Sequence, residues 1–187
     1  MSKITSIFTS SRADYYLIKP LADRLEKNSN VDLNVLISGA HLQSVPNEIV
    51  SSIEANHAKV KKIPLIDYKT TFSSIQANFS HLTKHYFQYF EQNKIDLLFL
   101  LGDRYETFIA AYCAFFSRIP IAHIHGGEVT YGALDDSLRH SISKFSQIHF
   151  VADNEFRKRL INMGENPESI FEVGPMAADN ILDTDLF

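Results

Sequence analysis

The sequence predicts an α/β domain built on a parallel sheet with helices on both faces. Three observations carry that prediction. Short apolar runs alternate with segments of helical period, the pattern of successive βαβ units. The unbroken apolar stretch Leu97 to Leu101 suits a central strand covered on both faces. Polar residues gather directly after the apolar runs, at Ser10 to Asp14, Ser38 to His41, Gly102 to Glu106 and Gly126 to Glu128. In open α/β sheets ligands bind beyond the carboxyl ends of the strands, so these four clusters define one functional edge.

Taken in order, the first strand is expected at Lys3 to Thr9, followed by the polar turn Ser10-Ser11-Arg12-Ala13-Asp14. Leu17, Leu21 and Leu25 then stand four apart, with Ile18 beside the first, which is an amphipathic helix. Pro20 lacks a donor and crowds the preceding turn, so that helix either starts late or kinks. A second strand is expected at Val31 to Ile37, ending in Ser38-Gly39-Ala40-His41. A short helix around Asn47 to Ala55 and a strand near Lys59 to Leu65 follow. Between 70 and 92, Phe72, Ile75, Phe79, Leu82, Tyr86 and Phe90 share one face of the longest helix.

The strand at Ile95 to Leu101 ends in Gly102-Asp103-Arg104. The next helix carries Phe108, Ile109, Tyr112, Phe115 and Phe116 at core spacing. A strand at Ile119 to His125 ends in Gly126-Gly127-Glu128, and a loop reaches Asp135-Asp136, acidic residues suited to cap the following helix. A strand at Ile148 to Ala152, a helix near Glu155 to Met163 and a strand near Ser169 to Val173 complete the sheet. Gly174-Pro175 marks a turn, after which the tail to Phe187 reads as the opening of one more helix.

Composition narrows the function classes. The chain has 187 residues, 45% of them hydrophobic, enough for one domain with a full core. Its formal net charge of −4, with scattered lysines and arginines, argues against a nucleic-acid partner, which needs a basic face. One cysteine, Cys113, forbids an intrachain disulfide and reads as a small buried apolar residue. The run Ile4 to Phe8 is too short for a signal core or a membrane span. A soluble cytoplasmic protein with no membrane partner is expected.

Asp103, after a buried strand, is either a helix cap worth about 1 kcal/mol or a functional carboxylate beside the anion-holding guanidinium of Arg104. His123 and His125, two apart in a strand, share a face. They can bind zinc with Asp103, Glu128 or His140, which leaves a metal-dependent hydrolase as an alternative. Glu128 is a candidate general acid or base, or a solvated loop carboxylate. Asp136 and His140, like Asp135 and Arg139, face each other four apart on a helix, which is also what an ordinary capped helix shows. Ser10 to Asp14 lacks the Gly-x-Gly-x-x-Gly fingerprint, which argues against a dinucleotide site, although a helix start with Arg12 can still attract a phosphate.

Five motifs, in order, carry a family resemblance: Ser11-Arg12-Ala13-Asp14-Tyr15, Ser38-Gly39-Ala40-His41-Leu42, Leu101-Gly102-Asp103-Arg104-Tyr105-Glu106, His123-Ile124-His125-Gly126-Gly127-Glu128 and Asp135-Asp136-Ser137-Leu138-Arg139-His140. Together they resemble the UDP-N-acetylglucosamine 2-epimerases, most closely the hydrolysing branch that feeds sialic- and legionaminic-acid-type synthesis. The non-hydrolysing branch usually has Gly-Asp-Thr where this chain has Gly-Asp-Arg. The resemblance implies two Rossmann-like domains in a GT-B arrangement, of which residues 1–174 match the first and 175–187 begin the connection. Family members are about twice as long, and the second domain supplies most of the nucleotide contacts.

The reaction so implied is elimination of UDP from a UDP-2-acetamido sugar, then hydration of the glycal to a free N-acetylmannosamine-type sugar. By motif position, Asp103, Glu128 and Asp135 form the acid/base set and Arg12 contacts the diphosphate. His41, Arg104, Glu106, His125, Arg139 and His140 line the sugar pocket or orient the carboxylates. No metal or redox cofactor is implied. The family tends to dimerise, which points to a homodimer. The chain alone is expected to be nearly inactive, and a non-catalytic fragment is the second alternative.

Overall fold

The computed structural model describes residues 2–43 and 47–178. The strands are β1 (Lys3–Thr9), β2 (Val31–Ile37), β3 (Val60–Lys62), β4 (Leu97–Leu101), β5 (Ile121–Ile124), β6 (Ile148–Val151) and β7 (Ile170–Glu172). Among the described residues they form one sheet in the order β3-β2-β1-β4-β5-β6-β7, with every pairing parallel. The chain thus builds outward from β1 to one edge, crosses back to β4 and builds to the other. The crevice where the winding reverses lies between the ends of β1 and β4, the usual ligand position in such sheets.

The helices are α1 (Arg12–Glu26), α2 (Glu48–Asn56), α3 (Phe72–Asn93), α4 (Tyr105–Phe116), α5 (Leu134–Phe145) and α6 (Asn154–Asn162). Ser11 caps α1, its hydroxyl accepting from the Asp14 N–H at 3.2 Å. Such a cap contributes about 1 kcal/mol and fixes the start at Arg12, which rules out a late start. The helix runs through Pro20, whose ring is buried. Asn47 and Asp153 cap α2 and α6 in the same way.

Alternation along the strands divides the core in two. Phe8, Leu98, Leu100 and Ile121 face α3, α4 and α5, meeting Leu82, Tyr86, Phe90, Ile109 and Ile142. Ile7, Val35, Phe99, Leu101 and Ala122 face the other way, meeting Tyr15, Ile18 and Ile53. Each fully buried side chain of this size contributes about 1.5–3 kcal/mol.

Several expectations from the sequence need correction. The terminal strands are shorter: Lys59, Ile63 to Leu65, Ser169 and Val173 lie outside β3 and β7. β4 and β5 begin two residues later than expected, and β5 and β6 stop one residue earlier. On α3, Leu82, Tyr86 and Phe90 are buried, but Phe72 is 84% exposed and Ile75 and Phe79 are also exposed. A helix of 22 residues is about 33 Å long, whereas five-residue β4 spans about 17 Å, so the first turns of α3 overhang the sheet. Phe115 and Phe116 are exposed too. The stripe that α4 buries is Ile109, Ala110, Cys113 and Ala114, and Phe115 and Phe116 fall at its final turn. The tail beyond 178 lies outside the described residues. No described helix is long and apolar enough to cross a membrane.

Candidate active site

The carboxyl end of β4 turns at Gly102 (φ +79°), and Asp103 projects from the turn. Its carboxylate accepts a hydrogen bond from Arg139 Nη2 of α5. Asp103 is therefore an ion-pair partner and not a cap; the N-cap of α4 is Arg104, with no side-chain bond. Burial pushes the Asp103 carboxyl above the usual range, the Arg139 guanidinium pulls it back, and the charges of Asp135 and Asp14 add to the upward push. A carboxylate neighboured by two others beside one guanidinium is poised to exchange protons.

Arg139 itself is buried. It also donates to Thr130 Oγ1 at 3.2 Å, and its Nη1 lies 3.9 Å from Asp136 Oδ1. The sequence pairs Arg139 with Asp135, four residues earlier; instead the guanidinium reaches across to β4, and exposed Asp135 stands free of that ion pair. The Asp136–His140 pair forms as expected, at 3.6 Å. The expected acidic cap does not: Ala133 is the N-cap of α5. Asp136 Oδ1 instead accepts from the Thr130 N–H at 2.9 Å and secures the loop before the helix.

The two histidines expected in one strand part company. His123 is fully buried, its Nε2 bonded to the Gly102 carbonyl at 2.9 Å and its Nδ1 to Ser143 Oγ at 3.0 Å. Burial lowers its pKa to about 3, so it stays neutral, and it ties the turn before Asp103 to α5. β5 ends at Ile124, and His125 adopts φ +64°, so the shared strand face on which a zinc pair depends is not present. Its Nδ1 lies 2.6 Å from Glu128 Oε1. Among the described residues no group of three or more His, Cys, Asp or Glu side chains is arranged to hold a metal ion.

His41 does not line an open pocket, contrary to the expectation from its motif. It is 2% exposed, Nε2 bonds Thr9 Oγ1 at 3.0 Å, and burial lowers its pKa to about 4. The short turn Gly39–Leu42 folds it back under the end of β1. Glu106 is also buried, which raises its carboxyl pKa, and one oxygen lies 3.5 Å from Arg104 Nε. Arg104 and Glu106, with Ala40, Gln43, Tyr68 and Asp135, line a cavity of about 370 Å³. Arg12 is exposed at the start of α1, its guanidinium 5.8 Å from the Tyr16 ring centroid. Cys113 is buried and its thiol is pushed up to about 12, as an inert core residue requires.

The fold therefore brings Asp103, Asp135, Arg139 and His140 to one place, along with Asp14, Thr130 and Asp136, which the sequence did not single out as site residues. Glu128 engages His125, and Arg12 lies over Tyr16. His123 and Ser143 act from beneath. No sequence signal marks Thr130 or Ser143, because each is recruited by a partner remote in the chain.

A protein-family model described as UDP-N-acetylglucosamine 2-epimerase matches residues 23–186. Among curated proteins, the chain is 37% identical to a UDP-N,N'-diacetylbacillosamine 2-epimerase (hydrolyzing) of Legionella pneumophila, over 93% of this chain and 46% of the relative. It is 34% identical to polysialic acid biosynthesis protein P7 of Escherichia coli, over 97% of this chain and 46% of that protein. The chain thus spans about half the length of these relatives. Among solved structures it resembles UDP-GlcNAc 2-epimerase from Neisseria meningitidis bound to UDP-GlcNAc, with a TM-score of 0.80, 22% identity, and coverage of 96% of this chain and 48% of that one.

Proposed function

This chain belongs to the UDP-N-acetylglucosamine 2-epimerase family, and from that premise we propose that it is the catalytic-edge half of a hydrolysing UDP-sugar 2-epimerase. The reaction is elimination of UDP from a UDP-2-acetamido sugar and hydration of the resulting glycal, releasing UDP and an N-acetylmannosamine-type sugar. Removing a weakly acidic C2 proton while a diphosphate leaves C1 calls for acid/base groups on the sugar and cations near the leaving group. The observation that carries the proposal is the Asp103–Arg139 pair beside Asp135 and Asp14, at the end of a central strand.

In this reading Asp103, Glu128 and Asp135 make up the acid/base set. Arg12 meets the diphosphate, and Arg104, Glu106, His125, Arg139 and His140 line or orient the sugar site. His41 is left out because it is enclosed. The half-length match makes a second nucleotide-binding domain, joined through residues 175–187, part of the proposal, as are a cytoplasmic location and a homodimer. The reading calls for no metal or redox cofactor.

The test is release of UDP from UDP-N-acetylglucosamine and from UDP-N,N'-diacetylbacillosamine. A protein carrying this chain followed by the second domain should turn over one of them and lose that activity with Asp103→Asn. Residues 1–187 alone should show little or no turnover. A rate from this chain near that of a full-length relative would overturn the half-site proposal, and retained activity in Asp103→Asn would overturn the site.

A further inference from the structure

Resting on the reaction just proposed, and refining its acid/base set at one position, we infer that the group that moves the proton just past β5 is the imidazole of His125, so that Glu128 serves in that set as the carboxylate that positions the ring and not as the proton carrier itself.

The backbone gives the first argument. His125 is the first residue past β5 and sits at φ +64°. A side chain other than glycine loses about 1–2 kcal/mol in that conformation, and such strain concentrates where a side chain must be aimed. Continued extension would send His125 to the same side as His123, which is wholly enclosed. The left-handed turn re-aims the ring instead, leaving the side chain 19% exposed.

Hydrogen bonding gives the second. Nδ1 stands 2.6 Å from Glu128 Oε1, at the short end of a bond to an ionised acceptor, for which N–H···O lengths of about 2.7–2.9 Å are usual. A carboxylate can only accept, so Nδ1 carries a hydrogen, and in the neutral ring that leaves the lone pair on Nε2. The contact at Nε2 is with the Met176 N–H at 3.5 Å, the outer limit of a hydrogen bond. The carboxylate–imidazole arrangement is that of a general base with its orienting partner. Glu128, by contrast, has an oxygen committed to the ring.

The loop between them is built to hold this register. A Cβ on Gly127 (φ +76°) would stand 2.6 Å from the Phe156 carbonyl oxygen, so only glycine fits, and Arg159 fastens the Gly127 carbonyl. That turn returns Glu128 to the ring three residues away. In the transfer, Nε2 takes a proton whose former bonding pair stays with the substrate, and Glu128 compensates the charge the ring gains. Reversal returns the proton.

Two experiments on this chain and one on the longer protein decide it. Diethyl pyrocarbonate acylates unprotonated imidazole nitrogen, and peptide mass spectrometry gives the rate at each histidine. His125 should react, and Glu128→Gln should slow it several-fold while His85, remote on α3, keeps its rate. Nitrogen-15 ring shifts should show His125 as the Nδ1–H tautomer, with Glu128→Gln relaxing that preference. In the longer protein His125→Ala should lose about 10²-fold or more in turnover, partly restored by added imidazole, with UDP binding unchanged. An unreactive His125, or a rate and tautomer indifferent to Glu128→Gln, would refute the dyad. Full turnover by His125→Ala would refute the role while leaving the epimerase proposal standing. Absence of turnover in the unmutated longer protein would overturn both.

Discussion

Replacing Arg139 by Gln strips Asp103 of its cation while leaving the carboxylate in place. Breaking a buried pair from one side costs about 3–5 kcal/mol. Asp103 keeps 20% of its side chain exposed against 9% for Arg139, so the low end, about 3 kcal/mol at pH 7, applies. At this chain length each kcal/mol shifts the midpoint by about 2–4 °C, so the melting temperature should fall by about 6–12 °C. Asp103→Asn combined with Arg139→Gln should recover part of the loss, since neither charge is then stranded.

The pH dependence follows from the direction of the Asp103 shift. Its folded pKa already lies above the ordinary 3.8, and the Arg139 contributions that lower it vanish in the variant. A raised carboxyl pKa means that the folded state holds the proton more tightly than the unfolded state. The unfavourable contribution is therefore absent below 3.8 and grows as pH rises through the folded value. Urea unfolding followed by circular dichroism at pH 4 and pH 8 should show a smaller deficit at the lower pH. Equal deficits, or a loss under about 1 kcal/mol at pH 7, would refute the account of this pair.

Two further outcomes concern the end of β1. His41, lowered from 6.5 to about 4, adds stability that is complete above pH 6.5 and lost as pH falls toward 4, roughly 3 kcal/mol in all. His41→Gln should flatten the decline of the urea midpoint over that interval, and an unchanged slope would contradict this. Gly39→Ala adds a Cβ 2.6 Å from the Ser10 carbonyl oxygen at φ +58°. The expected loss is about 2 kcal/mol or more by thermal unfolding, and a loss under about 0.5 kcal/mol would show that the turn yields freely.

The parallel α/β architecture was legible because period and burial coincide in it: β1 and β2 have the bounds that their apolar runs indicate. Misreadings arose where geometry beyond one element decides. Phe72 and Phe116 have core-like spacing, yet whether a residue is covered depends on the length of the neighbouring sheet. Asp103, Asp135 and Arg139 were legible as chemistry from their positions after a strand and at a helix start, but the choice of Arg139 for Asp103 over Asp135 needs α5 packed beside β4. His123 and His125 look equivalent as His-x-His; a single left-handed residue, invisible to pattern, separates them.

The strand order has a consequence for synthesis. β1 is made first but lies between β2 and β4, and β4 begins 88 residues after β1 ends, at Leu97. At about 5–20 residues per second on a ribosome, one side of β1 stays unpaired for roughly 4–18 s. During that interval the nascent chain presents an apolar strand edge open to other nascent chains, and a pause before Leu97 would lengthen its exposure to chaperones and aggregation alike.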